Sequence, residues 1–261
     1  MRIPFFQVDA FADAPFGGNP AAIVVMEQFP EDRVMQSIAA ENNLAETAFL
    51  VQKGEETQLR WFTPVLEVPL CGHGTLATAA VVMEKLKPGA NEVVFQTKSG
   101  PLPVKREGVG YAMNFPARPC TETAVWPELT LALGVEPQAV YQNTFNYMAI
   151  LDTAEAVRGL RPNLDLVAKL DRPGVIVTAP GSGEWDFVSR YFAPQKGIPE
   201  DPVTGAAHCM LTPYWANVLG RTSLVGYQAS KRGGTVLCEL HGDRVVLKGK
   251  CAFVIEGHMT I

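Results

Sequence analysis

One phrase occurs twice in this chain, and the repeat constrains the fold more than any other feature. Arg60-Trp61-Phe62-Thr63-Pro64 is followed after four residues by Pro69. Arg190-Tyr191-Phe192-Ala193-Pro194 is followed after four residues by Pro199. Matched positions lie 130 apart, half the length of a 261-residue chain. A weaker echo follows, with Phe95-Gln96-Thr97 leading to Gly100 and Tyr227-Gln228-Ala229 leading to Gly233. Repeats of this length are too long for a solenoid. They predict two pseudo-symmetric domains with a site in the cleft between them. Aligned at 130, Cys71-Gly72-His73-Gly74-Thr75 stands opposite Asp201-Pro202-Val203-Thr204-Gly205. A shared scaffold there carries different polar residues.

Each half has the same style. In the first half, the N-terminal segment from Met1 to Asp9 reads as a strand. The runs 5–11, 21–25, 47–51, 58–62, 92–97, 102–106 and 111–115 are rich in β-branched and aromatic residues and bounded by Gly, Pro or polar clusters. A helix opens at Pro30-Glu31-Asp32, with Val34, Met35, Ile38 and Ala39 on its apolar face. A second, from about Gly74 to Leu86, is apolar all round and therefore buried. Prolines 116, 119 and 127 mark a linker, followed by a short helix from about Glu128 to Leu133. Strands recur near 147–151, 174–177, 187–192, 222–227, 235–240 and 244–248. The second buried helix is expected at Gly205–Leu219, ended by Gly220. The fold class is α+β. The expected domains are 1–118 and 119–261, leaving open whether the last strand returns to the first domain.

Composition excludes several classes. The net charge of −5 lacks the basic footprint of a nucleic-acid protein and disfavours anionic membranes. No apolar run is long enough to span a bilayer, and no signal-peptide pattern opens the chain. Five cysteines, none in a C-x-x-C pair, suggest neither a disulfide framework nor structural zinc, and point to a reducing cytoplasm. No metal-ligand spacing such as H-E-x-x-H occurs, so no metal is expected. Phosphate-loop and dinucleotide signatures are missing too.

The chemistry gathers where the repeats end. After Pro69 and Pro199 the chain turns through glycines into a buried helix. Helix N-termini carry unpaired N–H groups and positive potential, so each is a ready anion site. Ordinary capping by Thr75 and Thr204 is the plainer explanation, but capping alone does not need Cys71, His73 and Asp201. Glu46 precedes an apolar strand. Its carboxylate enters a low-dielectric neighbourhood suited to a general base or acid; a solvated loop glutamate is the bland alternative. His73 lies between two glycines that allow close backbone approach, and its place at a helix start disfavours the imidazolium. The same helix terminus is expected to lower the pKa of Cys71. Asn19 sits in the turn Phe16-Gly17-Gly18-Asn19-Pro20. Lys231-Arg232-Gly233-Gly234 is either a carboxylate partner or a solvated hairpin.

Together, Phe11 to Pro20, Asn43 to Phe49, Arg60 to Pro64, Cys71 to Thr75 and Glu200 to Gly205 resemble the phenazine-biosynthesis PhzF-like family over nearly the whole chain. The resemblance implies a diaminopimelate-epimerase-like fold, with two β-barrel-like domains each wrapped around a central helix. It implies a homodimeric enzyme without a cofactor that shifts a proton, with a glutamate as acid and base. That role falls on Glu46, with His73 and Asp201 as the other catalytic positions. Asn19, Cys71, Gly72, Gly74, Thr75, Thr204, Gly205 and Ala206 fall on substrate-binding positions. Ala45 and Ala206 stand where the family often carries serine, and losing two hydroxyls leaves the substrate open.

The expectation is a cofactor-independent isomerase of a small carboxylated metabolite. One alternative is an epimerase or racemase using Cys71. The other is a non-catalytic small-molecule binding protein of the same fold.

Overall fold

The computed structural model describes residues 2–54 and 56–261; Met1 of the predicted first strand lies outside them. The chain divides into two units, 1–114 with 248–261, and 115–247.

In the first unit, strand Arg2–Ala10 pairs antiparallel with Asn19–Met26 and with the last strand, Cys251–Thr260. Asn19–Met26 runs parallel to Glu46–Lys53, and helix Asp32–Asn42 makes the crossover. Glu46–Lys53 folds back on Glu56–Phe62. Glu56–Phe62 runs parallel to Glu92–Thr97 across helix Gly72–Val81, and Gly100–Glu107 pairs next.

The crossover helix seats Met35, Ile38 and Ala39 on Val24, Phe49, Val51 and Phe62. These three positions are one helical stripe. The helix ends at Asn43, whose φ of 49° is left-handed and whose N–H reaches Ala39 O. Phe49 and Val51 face this helix, so alternation turns Glu46, Ala48 and Leu50 to the opposite side. The first six residues of that strand are all buried, as expected for a strand covered on both faces. Helix Gly72–Val81 packs on Arg2–Ala10, Asn19–Met26 and Glu46–Lys53. Two glycines in its first turn cost at most about 1 kcal/mol each. Full burial of Leu76 and Val81, about 1.5–3 kcal/mol per side chain, outweighs that. The helix starts at Gly72 rather than Gly74, and the stretch expected to continue it becomes a π-helical turn, Val82–Leu86.

The second unit repeats this order. Ala139–Gln142 pairs antiparallel with Asn146–Ile150, which runs parallel to Gly174–Pro180. Gly174–Pro180 folds back on Phe187–Ala193. Phe187–Ala193 runs parallel to Ser223–Gln228 across helix Gly205–Leu219, and Gly234–His241 follows. The first crossover holds two short helices, Ala154–Gly159 and Leu164–Val167, too short to show a periodic stripe in sequence. The predicted linker contains a strand, Thr121–Thr123, paired with Ala139–Gln142. Helix Gly205–Leu219 has the expected bounds and contains Pro213. Proline cannot donate to the carbonyl four residues back, and Arg118 N–H takes Cys209 O instead, at 2.9 Å.

The pairing registers correct the alignment of the repeats. Trp61 pairs with Val68, whereas Tyr191 pairs with Asp201. The match therefore runs at 130 through the aromatic phrase and at 133 afterwards. Three extra residues are absorbed at the 3₁₀ turn Pro194–Lys196, which ends at Gly197 with φ 77°. Asp201 corresponds to Val68, and Cys71 corresponds to Thr204, since both precede the first residue of a central helix.

The repeated phrase itself is scaffold. Arg60 forks onto Glu67 and lies over Phe62; Arg190 forks onto Glu200 and lies over Phe192. Residues two apart share one face of a strand, so the spacing of Arg and Phe fixes this stack.

Candidate active site

Three elements of the first unit bring polar side chains together. Asp9 Oδ2 accepts the N–H of Phe16 at 2.8 Å, holding the turn that precedes Asn19. Gly18 in that turn has φ +59°, and a Cβ there would lie 2.1 Å from Ala10 O, so only glycine fits. Asn19, opening its strand, places Nδ2 3.2 Å from His73 Nδ1. Glu46, opening its own strand, places Oε2 3.0 Å from His73 Nε2. Among the described residues no N–H meets Oε2 at hydrogen-bonding angles, so the contact is one of proximity, and an ion pair when the imidazole is protonated. Glu46 is 9% exposed and His73 6%.

Cys71 caps the central helix, accepting Gly74 N–H on Sγ at 3.3 Å. Thr75 Oγ1 donates to Cys71 O at 2.6 Å. The Cys71 sulfur lies 3.6 and 3.9 Å from the two ring nitrogens of His73. A Cβ on Gly74 would come within 2.9 Å of that sulfur and 3.1 Å of Trp61 Cδ1, so this glycine lets the thiol and indole close over the first turn. Trp61, buried at 1% exposure, has no partner for its Nε1–H among the described residues.

Two electrostatic expectations are reversed. The Cys71 thiol pKa is raised, first by burial and then by the Glu46 carboxylate. The helix terminus does not prevail over lost solvation. Burial works against the imidazolium of His73, but Cys71 and Glu46 outweigh it and raise its pKa well above the ordinary value. An amide presents NH₂ or, after a half-turn, oxygen, so Asn19 serves neutral and protonated imidazole alike.

In the second unit Thr204 does not cap its helix with its side chain. Its Oγ1 donates to Asp201 Oδ2 at 2.5 Å. Gln228, fully buried, accepts Thr204 N–H at 2.8 Å and donates to Asp201 O at 2.7 Å. Gly205 is buried and Ala206 exposed. Ser230 Oγ donates to Pro202 O and accepts Gly233 N–H, tying the Lys231–Gly234 turn to the same segment.

The fold thus joins Glu46, His73, Asn19 and Cys71 in one cluster, beside Gly72, Gly74 and Thr75 of the helix turn. It joins Asp201 and Thr204 in another. Sequence reasoning missed Gln228 and Trp61 as parts of these clusters. Gln228 was visible only as an echo of Gln96, and its burial is a tertiary fact. One ligand atom from each of Glu46, Cys71 and His73 lies within 4.8 Å of the others, a spacing compatible with metal ligation. No helix among the described residues is long and apolar enough to cross a membrane.

Residues 8–257 match the family described as phenazine biosynthesis-like protein. An uncharacterized isomerase of Pseudomonas aeruginosa is 46% identical over 261 residues, with 100% of both chains covered. A crystal structure of a phenazine biosynthesis PhzF family protein from Enterococcus faecalis superposes with a TM-score of 0.97, at 42% identity and 100% coverage of both chains. A hydroxyproline epimerase from Agrobacterium vitis shares the fold, with a TM-score of 0.64 at 9% identity, covering 98% of this chain and 92% of its own.

Proposed function

The chain belongs to the phenazine biosynthesis-like family, with a diaminopimelate-epimerase-like fold, and is an isomerase; from that premise we propose that it moves a proton within a small carboxylated metabolite by general acid–base catalysis. The observation that carries this reading is the buried Glu46–His73 pair at 3.0 Å. Among the described residues Glu46 Oε2 has no aligned hydrogen-bond donor, which leaves a lone pair for a substrate proton. Glu46 removes a proton from carbon next to an activating group and returns it to a second carbon. His73 orients the carboxylate, and Asn19 orients His73. The first-turn N–H groups of Gly72 and His73 suit a carboxylate or a developing enolate. We assign to Asp201 and to Thr204, Gly205 and Ala206 the second set of substrate contacts, with Gln228 positioning them. The enzyme works as a homodimer without an organic cofactor in this reading.

The test is Glu46→Gln. Positioned acid–base groups contribute about 10²–10⁴ in rate, so this variant should lose solvent deuterium incorporation into a carboxylated substrate by that factor while still binding it. Full exchange activity in Glu46→Gln would remove Glu46 as the base.

A second reading makes Cys71 a partner acid or base of an epimerase, because its sulfur sits 3.9 Å from His73 Nε2. Two observations weigh against it. The thiol pKa is raised, and Thr204, not a second thiol, precedes the other central helix. Cys71→Ala that still turns over would dismiss this reading.

A further inference from the structure

We propose that Cys71, His73 and Glu46 form a three-ligand site for a borderline-soft divalent cation, with Zn²⁺ as the fitting ion, and that its occupancy switches the isomerase off. Binding stands on the geometry alone; inhibition rests on the acid–base role of Glu46 given above.

The donors come from separate places, two from a helix start and one from a strand start, so no sequence spacing announces them. Folding brings one atom of each within 4.8 Å of the others. Glu46 Oε2 and His73 Nε2 are 3.0 Å apart, and Cys71 Sγ and His73 Nε2 3.9 Å. Tetrahedral zinc with bonds of about 2.0–2.3 Å needs ligand–ligand edges of about 3.3–3.8 Å. Shifts of a few tenths of an ångström bring these two edges into that range, and the Glu46–Cys71 edge, within 4.8 Å, closes by about 1 Å at most. Binding displaces the Cys71 thiol proton and the proton on His73 Nε2 to solvent, and the resulting thiolate, imidazole and carboxylate together suit zinc better than magnesium or calcium.

The surroundings also fit. Ligands of bound metals are oriented by outer hydrogen bonds. Gly74 N–H already points at Sγ at 3.3 Å, and Asn19 lies 3.2 Å from the other imidazole nitrogen, Nδ1. Helix capping accounts for the Gly74 contact. It does not account for an imidazole and a carboxylate beside the same sulfur. Three protein ligands leave a fourth position open for water. A carboxylate bound to the cation through Oε2 cannot take a proton there, so occupancy and proton transfer exclude each other.

The experiment uses the metal-free full chain titrated with Co²⁺, then with Zn²⁺. One Co²⁺ per chain should bind, with a thiolate-to-cobalt charge-transfer band in the near ultraviolet and tetrahedral visible bands, and Zn²⁺ should displace it. Cys71→Ser should abolish the charge-transfer band and weaken Zn²⁺ binding at least tenfold; Cys209→Ser should leave both unchanged. Should Cys71→Ser fail to fold, His73→Gln should weaken Zn²⁺ binding to the same extent. A missing charge-transfer band, or one that survives Cys71→Ser, overturns the site. Deuterium exchange should stop at one Zn²⁺ per chain, and exchange that continues with zinc bound overturns the inhibition. The spectrum needs no turnover, so a failed acid–base reading leaves the binding result intact.

Discussion

Gly174 stands in the second unit where Glu46 stands in the first. Thr47 pairs with Phe62 and Val175 with Phe192, so the residues just before, Glu46 and Gly174, open equivalent strands. In the parallel ladders Ala21 lies beside Glu46 and Asn146 beside Gly174. The space is filled differently on the two sides. A Cβ at Gly174 would meet Asn146 Oδ1 at 2.2 Å and Tyr191 Oη at 2.3 Å, and Tyr191 donates to Asn146 there. The first unit thus carries a carboxylate at this position, and the second carries a packed polar pair in its place.

Gly174→Ala should therefore destabilise the protein by about 1–3 kcal/mol, the range for overpacking a filled interior. Chemical denaturation reads this directly. The double variant Gly174→Ala with Tyr191→Phe, which removes the closest hydroxyl, should recover part of the loss. Equal loss in both would show that the hydroxyl is not the obstacle.

The two repeated arginines should differ in worth. Arg190 forks onto Glu200 and also donates to Leu160 O at 2.7 Å and Val157 O at 3.2 Å. These carbonyls end helix Ala154–Gly159, where a cation is favourable. Arg60 forks onto Glu67 and meets Asp32, whose side chain is 70% exposed and rehydrates easily. Arg190→Leu should cost about 3–5 kcal/mol, as for breaking a buried ion pair, and Arg60→Leu distinctly less. Midpoints in urea compare the two.

His208 should make stability fall on acidification. Its Nδ1–H donates to Thr204 O, which leaves Nε2 bare; among the described residues that atom has no partner. Burial pushes its pKa down to about 4 from an ordinary 6.5. Above about 6.5 the ring is neutral in both folded and unfolded chains and costs nothing. Between about 6.5 and 4 the unfolded chain takes the proton first, so stability drains as pH falls, by about 3 kcal/mol at most. The raised His73 acts in the other window: its contribution is whole below 6.5 and is lost as pH rises. Unfolding free energies of His208→Gln should depend less on pH from 6.5 to 4 than those of the parent. Parallel curves would contradict the burial argument.

Much of the architecture was legible in the chain. Pro30-Glu31-Asp32 with Met35, Ile38 and Ala39 predicts the first crossover helix, because a 3.6-residue period leaves a readable stripe. Gly205 and Gly220 bracket the second central helix, and glycine adopts the left-handed end at φ 65° without the steric cost of a Cβ. The duplication was legible too, but its register was not. Pro199 happens to preserve the spacing of Pro69, which hides three inserted residues that only strand pairing exposes. That shift moves Asp201 opposite Val68 and sets Cys71 opposite Thr204.

The sequence by itself determined which residue types exist to do chemistry, where buried helices begin, and the duplicated scaffold, since these depend on local patterning. The family resemblance pointed to Glu46, His73 and Asn19. Only the tertiary structure decided their state. The Cys71 thiol is raised because burial outweighs a helix terminus, and His73 is raised because Glu46 and Cys71 converge on it. Gly174 is bare because Asn146 and Tyr191 fill its place. Solvation and through-space charge depend on which distant segments meet, and no local pattern carries that information.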